Sequence, residues 1–449
     1  ISCSLVGSEM CIRDREILDA LEQAGHQAVL VGGCVRDALL GREPHDYDAA
    51  VSAPPEEILA ACRSKFKCIP TGLAHGTVTV VHSGLPVEVT AFRKEGTYSD
   101  HRHPDRVEYT SRLEEDLARR DFTVNAMAWD RSGLIDPFGG QADLAAGVIR
   151  CVGEPDRRFQ EDALRVLRGL RLAAQLDFRL EGETAAAIRR NTPLLSYVAW
   201  ERIQAEFLRL LCCPGAERIL LDFPETVCQI VPELTPAVGF DQKNPHHCYD
   251  VYTHSVKALG RVRPEPALRL AALLHDAGKP ACFSLDDQGV GHFYGHEGES
   301  ARLAEQAAAR LRLDRRTQER VVTLVARHGL QIEASPKVVR RWLQRLGPGL
   351  FFDLLELERA DGMACAPRPA PEPDRCAQAE TMAREILAQK PCLTLKELAV
   401  NGRDALAAGL SGPAVGRALN RLLDQVAAGD LPNDRSVLLP LLNHDLREE

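Results

Sequence analysis

The spacing of hydrophobic and polar positions changes character once, near residue 140. Before that point, short apolar runs are cut by glycines. Residues 16–24 (EILDALEQA) place apolar side chains at helical spacing and stop at Gly25. Ala28–Val31 reads as a short buried strand, Gly32-Gly33 breaks it, and Val35–Leu40 reads as a helix closed by Gly41. Asp46–Val51 reads as a second strand. Thr77–Val81 and Val87–Phe92 flank Ser83-Gly84 and read as a hairpin. Beyond Gly140 the period is helical, over 161–174, 183–190, 201–212, 252–260, 266–275, 298–311, 317–328, 336–346 and 350–360, with Pro and Gly between. Residues 364–375 (ACAPRPAPEPDR) form a Pro-rich linker, and a last helical stretch covers about 377–443. No fixed-period repeat is present. The expectation is an α+β protein: a small mixed sheet within 16–140, then helices over 141–215, 216–363 and 377–449, with a linker at 364–376.

Length supports several units, since 449 residues exceed what one core organises. No apolar run reaches the roughly 18–20 residues of a membrane span. The net charge of −9 argues against indiscriminate coating of nucleic acid. It leaves room for a local basic groove, for which Arg165, Arg168 and Arg171 are candidates, or for a merely solvated helix face. The 14 cysteines lack CxxC spacing and read as reduced thiols of a cytoplasmic protein. Residues 1–15 (ISCSLVGSEMCIRDR) have no signal-peptide charge pattern. They resemble translated adapter sequence and are set apart from fold reasoning, with native residues expected upstream.

Chemistry concentrates in two places. In LVGGCVRDALLGREPHDYD (30–48), Gly32 and Gly33 let the backbone approach a bulky anion. The helix that follows turns its N-terminus towards phosphate, and Arg36 adds a fork of donors. Asp46 and Asp48 lie two apart, so on a strand both point to one face. Paired carboxylates of that kind suit two Mg²⁺ ions bridging a triphosphate and a 3′-hydroxyl; Glu88, in PVEVTAF, is the candidate third. Each piece alone has a bland reading as a turn or a solvated face. The order strand, glycine pair, helix, DxD is what carries the signal.

VGGCVRD…DYD resembles the head of the bacterial class II tRNA nucleotidyltransferase/poly(A) polymerase family, and the resemblance extends over about residues 16–445. RRDFTVNAMA (119–128) resembles its ribose-reading motif, DPFGG (136–140) the joint between head and neck, RFQEDALRVLRGLR (158–171) the base-reading helix, and ERIQAEF (201–207) a helix-stabilising motif. The resemblance implies a polymerase-β-like head over 16–140, a neck over 141–215 and a tRNA-binding tail over 377–449. Asp37 and Arg120 then belong to the nucleotide site, and Asp121 and Asn125 bond the ribose. Asp162 and Arg165, three apart and so on one helix face, read the base, while Glu161 and Arg168 brace the helix or touch phosphate; the plain alternative for the pair is an i,i+3 salt bridge. RKEGTYSDHRHPDR (93–106) matches the family's flexible loop, whose presence favours full CCA or A addition. Glu201 and Arg202 read as structural.

The second place is LLHDAGKP (273–280), with His254 upstream and Asp361 downstream. The order H…HD…D resembles the HD superfamily and implies a divalent metal on His254, His275, Asp276 and Asp361 within 216–363. His292, His296 and His328 are either ligands of a second metal or exposed or structural histidines. The resulting expectation is an enzyme that adds CCA to tRNA from CTP and ATP without a template, with Mg²⁺ in the head and possible phosphohydrolysis at the HD site. It needs neither a membrane nor an obligate protein partner. The alternatives are a poly(A) polymerase or A-only adder, an HD phosphohydrolase with an inactive head, and an RNA-binding scaffold.

Overall fold

The computed structural model describes residues 10–44, 46–73, 76–95, 107–245, 247–365 and 374–444. The chain forms two compact units, Ile1–Pro232 and Glu233–Glu449.

The first unit opens with α1 (Met10–Gln23), β1 (Ala28–Val31), α2 (Gly33–Leu39), β2 (Asp48–Val51), α3 (Pro55–Cys62), β3 (Lys67–Gly72), β4 (Thr77–His82) and β5 (Leu85–Ala91). A small ribbon, β6 (Arg93–Glu95) and β7 (Val107–Tyr109), leads to α4 (Leu113–Ala118), β8 (Ala128–Asp130) and β9 (Gly133–Ile135). Seven strands make one mixed sheet in the order β3-β4-β5-β2-β1-β8-β9. Helix α1 begins at Met10, inside the stretch set apart above; its Met, Arg and Glu are all good helix formers.

Burial fixes the register that matters. Ala49, Val51, Val87, Val89 and Ala91 fill one core beneath the sheet with Ile58 and Ile17. The opposite face carries Val29, Val31, Ala50, Leu113, Leu117 and Phe92. Parallel pairing sets Asp48 opposite Glu88 and Ala49 opposite Val89. A slip of one residue in β5 would drive Glu88 into the apolar core, so the hydrophobic alternation itself holds the two carboxylates side by side.

Helices then follow: α5 (Gly140–Ala146), α6 (Pro155–Glu161), α7 (Leu164–Leu176), α8 (Gly182–Asn191), α9 (Trp200–Leu211), α10 (Ala216–Asp222) and α11 (Pro224–Ile230). Two short parallel strands, Val148–Ile149 and Arg179–Leu180, interrupt them. Helices α10 and α11 stay with this unit, α10 on α7 and α11 on the 3-10 turn Thr192–Tyr197.

The second unit is nearly all helix: α12 (Val251–Arg261), α13 (Pro266–Leu274), α14 (His296–Arg310), α15 (Arg315–Arg327), α16 (Pro336–Ala364), α17 (Arg375–Ala388), α18 (Gly402–Ala407), α19 (Pro413–Ala428) and α20 (Arg435–His444). Gly347, at φ 74°, and Pro348 kink α16, which explains why the sequence reads as two helices there. The tail helices α18 to α20 bury their own core around Leu419, Leu422 and Leu438. Among the described residues no helix is long and apolar enough to cross a membrane, and Cys34, Cys62, Cys151 and Cys213 are free, buried thiols.

Candidate nucleotide site and metal centre

The head site forms where β1 ends and β2 begins, beside the middle of β5, on the sheet face covered by α4. Asp48 begins β2 and is half-buried, Glu88 is its cross-strand partner, and Asp46 is exposed. Asp46 precedes the strand rather than lying on it, because pairing starts only at Asp48. The two therefore do not share a face by strand alternation. Asp46 and Glu88 nevertheless both act on Asp48: burial pushes its carboxyl up from 3.8, Arg120 pulls it down, and Glu88 and Asp46 push it up again. A divalent cation would relieve that repulsion, and an all-oxygen donor set suits Mg²⁺.

Arg120 arrives from the end of α4. The fully buried Asp116 anchors it at 3.4 Å and Arg119 at 2.8 Å. Its Nη1 lies 2.9 Å from where a Cβ on Gly32 would sit, and Asp48 Oδ2 lies 3.8 Å from the same point. Gly32 has φ 79° and ψ −134°, a conformation that side chains disfavour. Gly33, one residue on, has only ordinary contacts. Arg36 is held on both sides: its Nε and Nη2 bond Asp37 at 2.8 and 2.9 Å, and its Nη1 donates to Asn125 Oδ1 at 2.7 Å. Asn125 is thus placed by Arg36, and Arg36 by Asp37.

Asp121 accepts from the Phe122 N–H at 2.9 Å and pairs with Arg168 Nη2 at 2.7 Å. Burial would raise its pKa, but Arg168 and Arg165 outweigh it and hold the carboxyl below 3.8. Asp162 corrects an expectation. It lies in the break between α6 and α7, at φ −139° and ψ 103°, so it does not share a helix face with Arg165. Its Oδ1 accepts from Leu164 N at 3.1 Å, and its Oδ2 pairs with Arg202 Nη2 at 3.0 Å. Arg165 is braced by Glu161 at 2.8 Å and by the carbonyls of Arg158 and Arg119. Arg202 therefore positions a candidate base-reading residue from 40 positions away. The Nε atoms of Arg120 and Arg168 are buried without a hydrogen-bond partner. Residues 96–106 of the expected flexible loop lie outside the described residues.

The second unit gathers the HD residues as expected and adds to them. His254 comes from α12, His275 and Asp276 follow the end of α13, and Asp361 comes from α16. His254 Nε2 is 2.9 Å from Asp361 Oδ1, 3.4 Å from Asp276 Oδ2 and 3.3 Å from His275 Nε2. The other Asp276 oxygen, Oδ1, faces His296 Nε2 at 3.4 Å and His328 Nε2 at 3.6 Å. His292 stands apart, bonded to Asp286 at 2.9 Å. In His275, His296 and His328, Nδ1 sits 2.7 to 2.8 Å from the carbonyl three residues earlier. A carbonyl only accepts, so Nδ1 carries a proton and Nε2 is the ring atom that faces the pocket, the atom that would ligate a metal once its own proton is displaced. Burial opposes charge on His275, yet Asp276 and Asp361 lift its pKa to about 10. The pocket is thus short of positive charge, and its mixed N/O donors fit a divalent transition metal. Sequence reasoning gave no role to Lys279, which is buried, 2.6 Å from Asp276 Oδ2 and 3.0 Å from Gln242 Oε1, or to His247, 3.7 Å from Cys365 Sγ.

Family models match three stretches of the chain. The poly A polymerase head domain family matches residues 28–150, the probable RNA- and SrmB-binding site of polymerase A matches 177–236, and the putative domain 2 of tRNA nucleotidyltransferase matches 304–442. The CCA-adding enzyme of Levilactobacillus brevis is 36% identical over 440 residues, covering 95% of this chain and 96% of that one. The chain belongs to the CCA-adding enzymes. That of Lacticaseibacillus paracasei is 35% identical over 428 residues, covering 95% and 94%. The crystal structure of the CCA-adding enzyme of Bacillus stearothermophilus in complex with CTP superposes with a TM-score of 0.74 at 29% identity, covering 98% of this chain and 99% of that one. As a CCA-adding enzyme the chain is a tRNA nucleotidyltransferase, with an α+β head followed by helices, and its family uses divalent metal.

Proposed function

We propose that the chain adds C, C and A in turn to the 3′ end of tRNA, taking CTP and ATP and using Asp46, Asp48 and Glu88 to hold Mg²⁺. The observation that carries this reading is the Asp48–Glu88 pair beside Gly32 and Arg120. The bound Mg²⁺ supplies charge neutralisation for the triphosphate and a more acidic 3′-hydroxyl. The chain's residues do the rest. Gly32 leaves room for the nucleotide beside Arg120. Asp121 and Asn125, held by Arg168 and Arg36, accept from the ribose hydroxyls. Asp162, held by Arg202, and Arg165 present an acceptor and a donor fork to the base edge. The 3′-hydroxyl attacks the α-phosphorus, a P–O bond forms to the tRNA, and the bond to pyrophosphate breaks.

The cluster on α12 to α16 supports a second activity, hydrolysis of phosphate esters at RNA ends. His254, His275, Asp276 and Asp361 would hold one metal and Asp276, His296 and His328 a second; the metals supply Lewis acidity and an activated water. Asp48→Ala is expected to abolish nucleotide addition and spare hydrolysis, and His275→Ala to do the reverse. Loss of both activities in either variant would contradict two independent sites.

A further inference from the structure

Beside the metal pocket of the second unit lies an exposed pair of rings that no step above uses. Tyr294 is 80% exposed. Its ring stacks on His292, the planes 7° apart and the centroids 5.5 Å apart. His292 is tied in turn to Asp286 Oδ2 at 2.9 Å, across the short hairpin Ser284–Leu285/Gly291–His292. One face of a rigid aromatic pair is thus left open.

This pair is fixed relative to the metal ligands. The Gly291 N–H donates to the Lys243 carbonyl at 2.8 Å, and the Gly291 carbonyl accepts from Asn244 Nδ2 at 3.1 Å. A Cβ on Gly291 would lie 2.1 Å from the Gln242 carbonyl oxygen, so the hairpin sits flush on that strand of chain. Gln242 is the residue whose side chain accepts from Lys279, the partner of Asp276. Phe293 turns inward, its ring 5.3 Å from Lys279 Nζ and its carbonyl accepting from His296 Nδ1 at 2.8 Å. Tyr294 turns outward, two residues before His296, so the two Cα atoms are at most about 7.6 Å apart. The ring pair and the pocket residue His296 therefore lie on one short stretch of chain.

We propose that the His292–Tyr294 pair is a stacking platform that holds a nucleobase of the RNA end taken by this pocket. The proposal rests on the hydrolytic reading of the metal centre. A ring face accepts any base, so the platform confers preference for a base-bearing terminus without sequence preference. Nothing about it requires a particular leaving group.

The test uses the full chain with Mn²⁺ or Ni²⁺ and two short RNAs ending in a 2′,3′-cyclic phosphate, one intact and one abasic in its last two nucleotides. Intact RNA is expected to show a KM about 5- to 150-fold below the abasic RNA with the parent protein. Tyr294→Ala should bring the two KM values together while kcat on intact RNA is retained, and Tyr294→Trp should keep them apart. A merely structural role for Tyr294 would weaken both RNAs alike and preserve the ratio, which would overturn the platform and leave the hydrolase in place. Absence of any hydrolysis by the parent protein would overturn the hydrolytic reading, and the platform with it.

Discussion

Gly32→Ala isolates one atom of the head site. Gly32 has φ 79° and ψ −134°, so a side chain there is strained by about 1–3 kcal/mol before any contact is made. The new methyl would lie 2.9 Å from Arg120 Nη1, closer than a Cβ tolerates, so the guanidinium must shift. For a unit of this size each kcal/mol shifts Tm by about 2–4 °C, so the drop should be roughly 2–12 °C. Displacement of a positioning group by about 1 Å costs on the order of 100-fold in rate, so kcat/KM for nucleotide addition should fall by about that factor. Gly33→Ala is the control. Its Cβ would meet Arg36 Nη2 at 3.6 Å, an ordinary contact, and alanine at a helical position stabilises by about 0.5–1 kcal/mol. Its Tm should therefore stay level or rise. Melting followed by circular dichroism, with incorporation assays on the same preparations, reads both variants. A Gly32→Ala protein as stable and as active as its parent, or a Gly33→Ala protein that melts as early as Gly32→Ala, would refute the reasoning.

Three further outcomes follow from single contacts. Asp121 has a folded pKa below 3.8, so its stabilisation is complete above that value and is lost as pH falls through the lower folded one. Asp121→Asn should accordingly cost about 1.5–3 kcal/mol at neutral pH, with the gap closing in acid; urea melts at several pH values that show a constant gap would contradict it. Arg165→Ala should blur the choice of C and A over G and U in single-nucleotide incorporation, and Arg202→Ala should do so more weakly by releasing Asp162; unchanged selectivity in both would remove the base-reading role. Saturating Mn²⁺ should stabilise the second unit by about 2.7 kcal/mol at 100 times its Kd, and Asp276→Asn should abolish that gain, because its two oxygens face both histidine groups; a variant that keeps the full metal-induced Tm rise would show that Asp276 is not a ligand.

The legible parts of the sequence were those where local pattern and tertiary role coincide. Val87, Val89 and Ala91 alternate with Glu88, so the strand and the outward carboxylate could be read together. The HD pair and its distant partners follow an order specific enough to survive 107 residues of separation between His254 and Asp361. Strand Lys67–Gly72 was not legible: it holds Pro70, and it tolerates proline and an irregular register because it lies at the sheet edge. The break at Asp162 was hidden because apolar residues keep helical spacing through it; what opens the chain there is a bond to Leu164 and a distant arginine. His296 and His328 could not be joined from spacing alone. They meet because α14 begins where α15 ends, on packed helices, and Asp276 stands between them and the other ligands.

Incorporation on a tRNA that ends just before CCA tests the central claim most directly. With Mg²⁺ and labelled CTP and ATP supplied singly and together, the account predicts two C residues from CTP alone, a terminal A only when ATP is also present, and no further extension. A long A tract, A added only to tRNA that already ends in CC, or no incorporation under any nucleotide would contradict it.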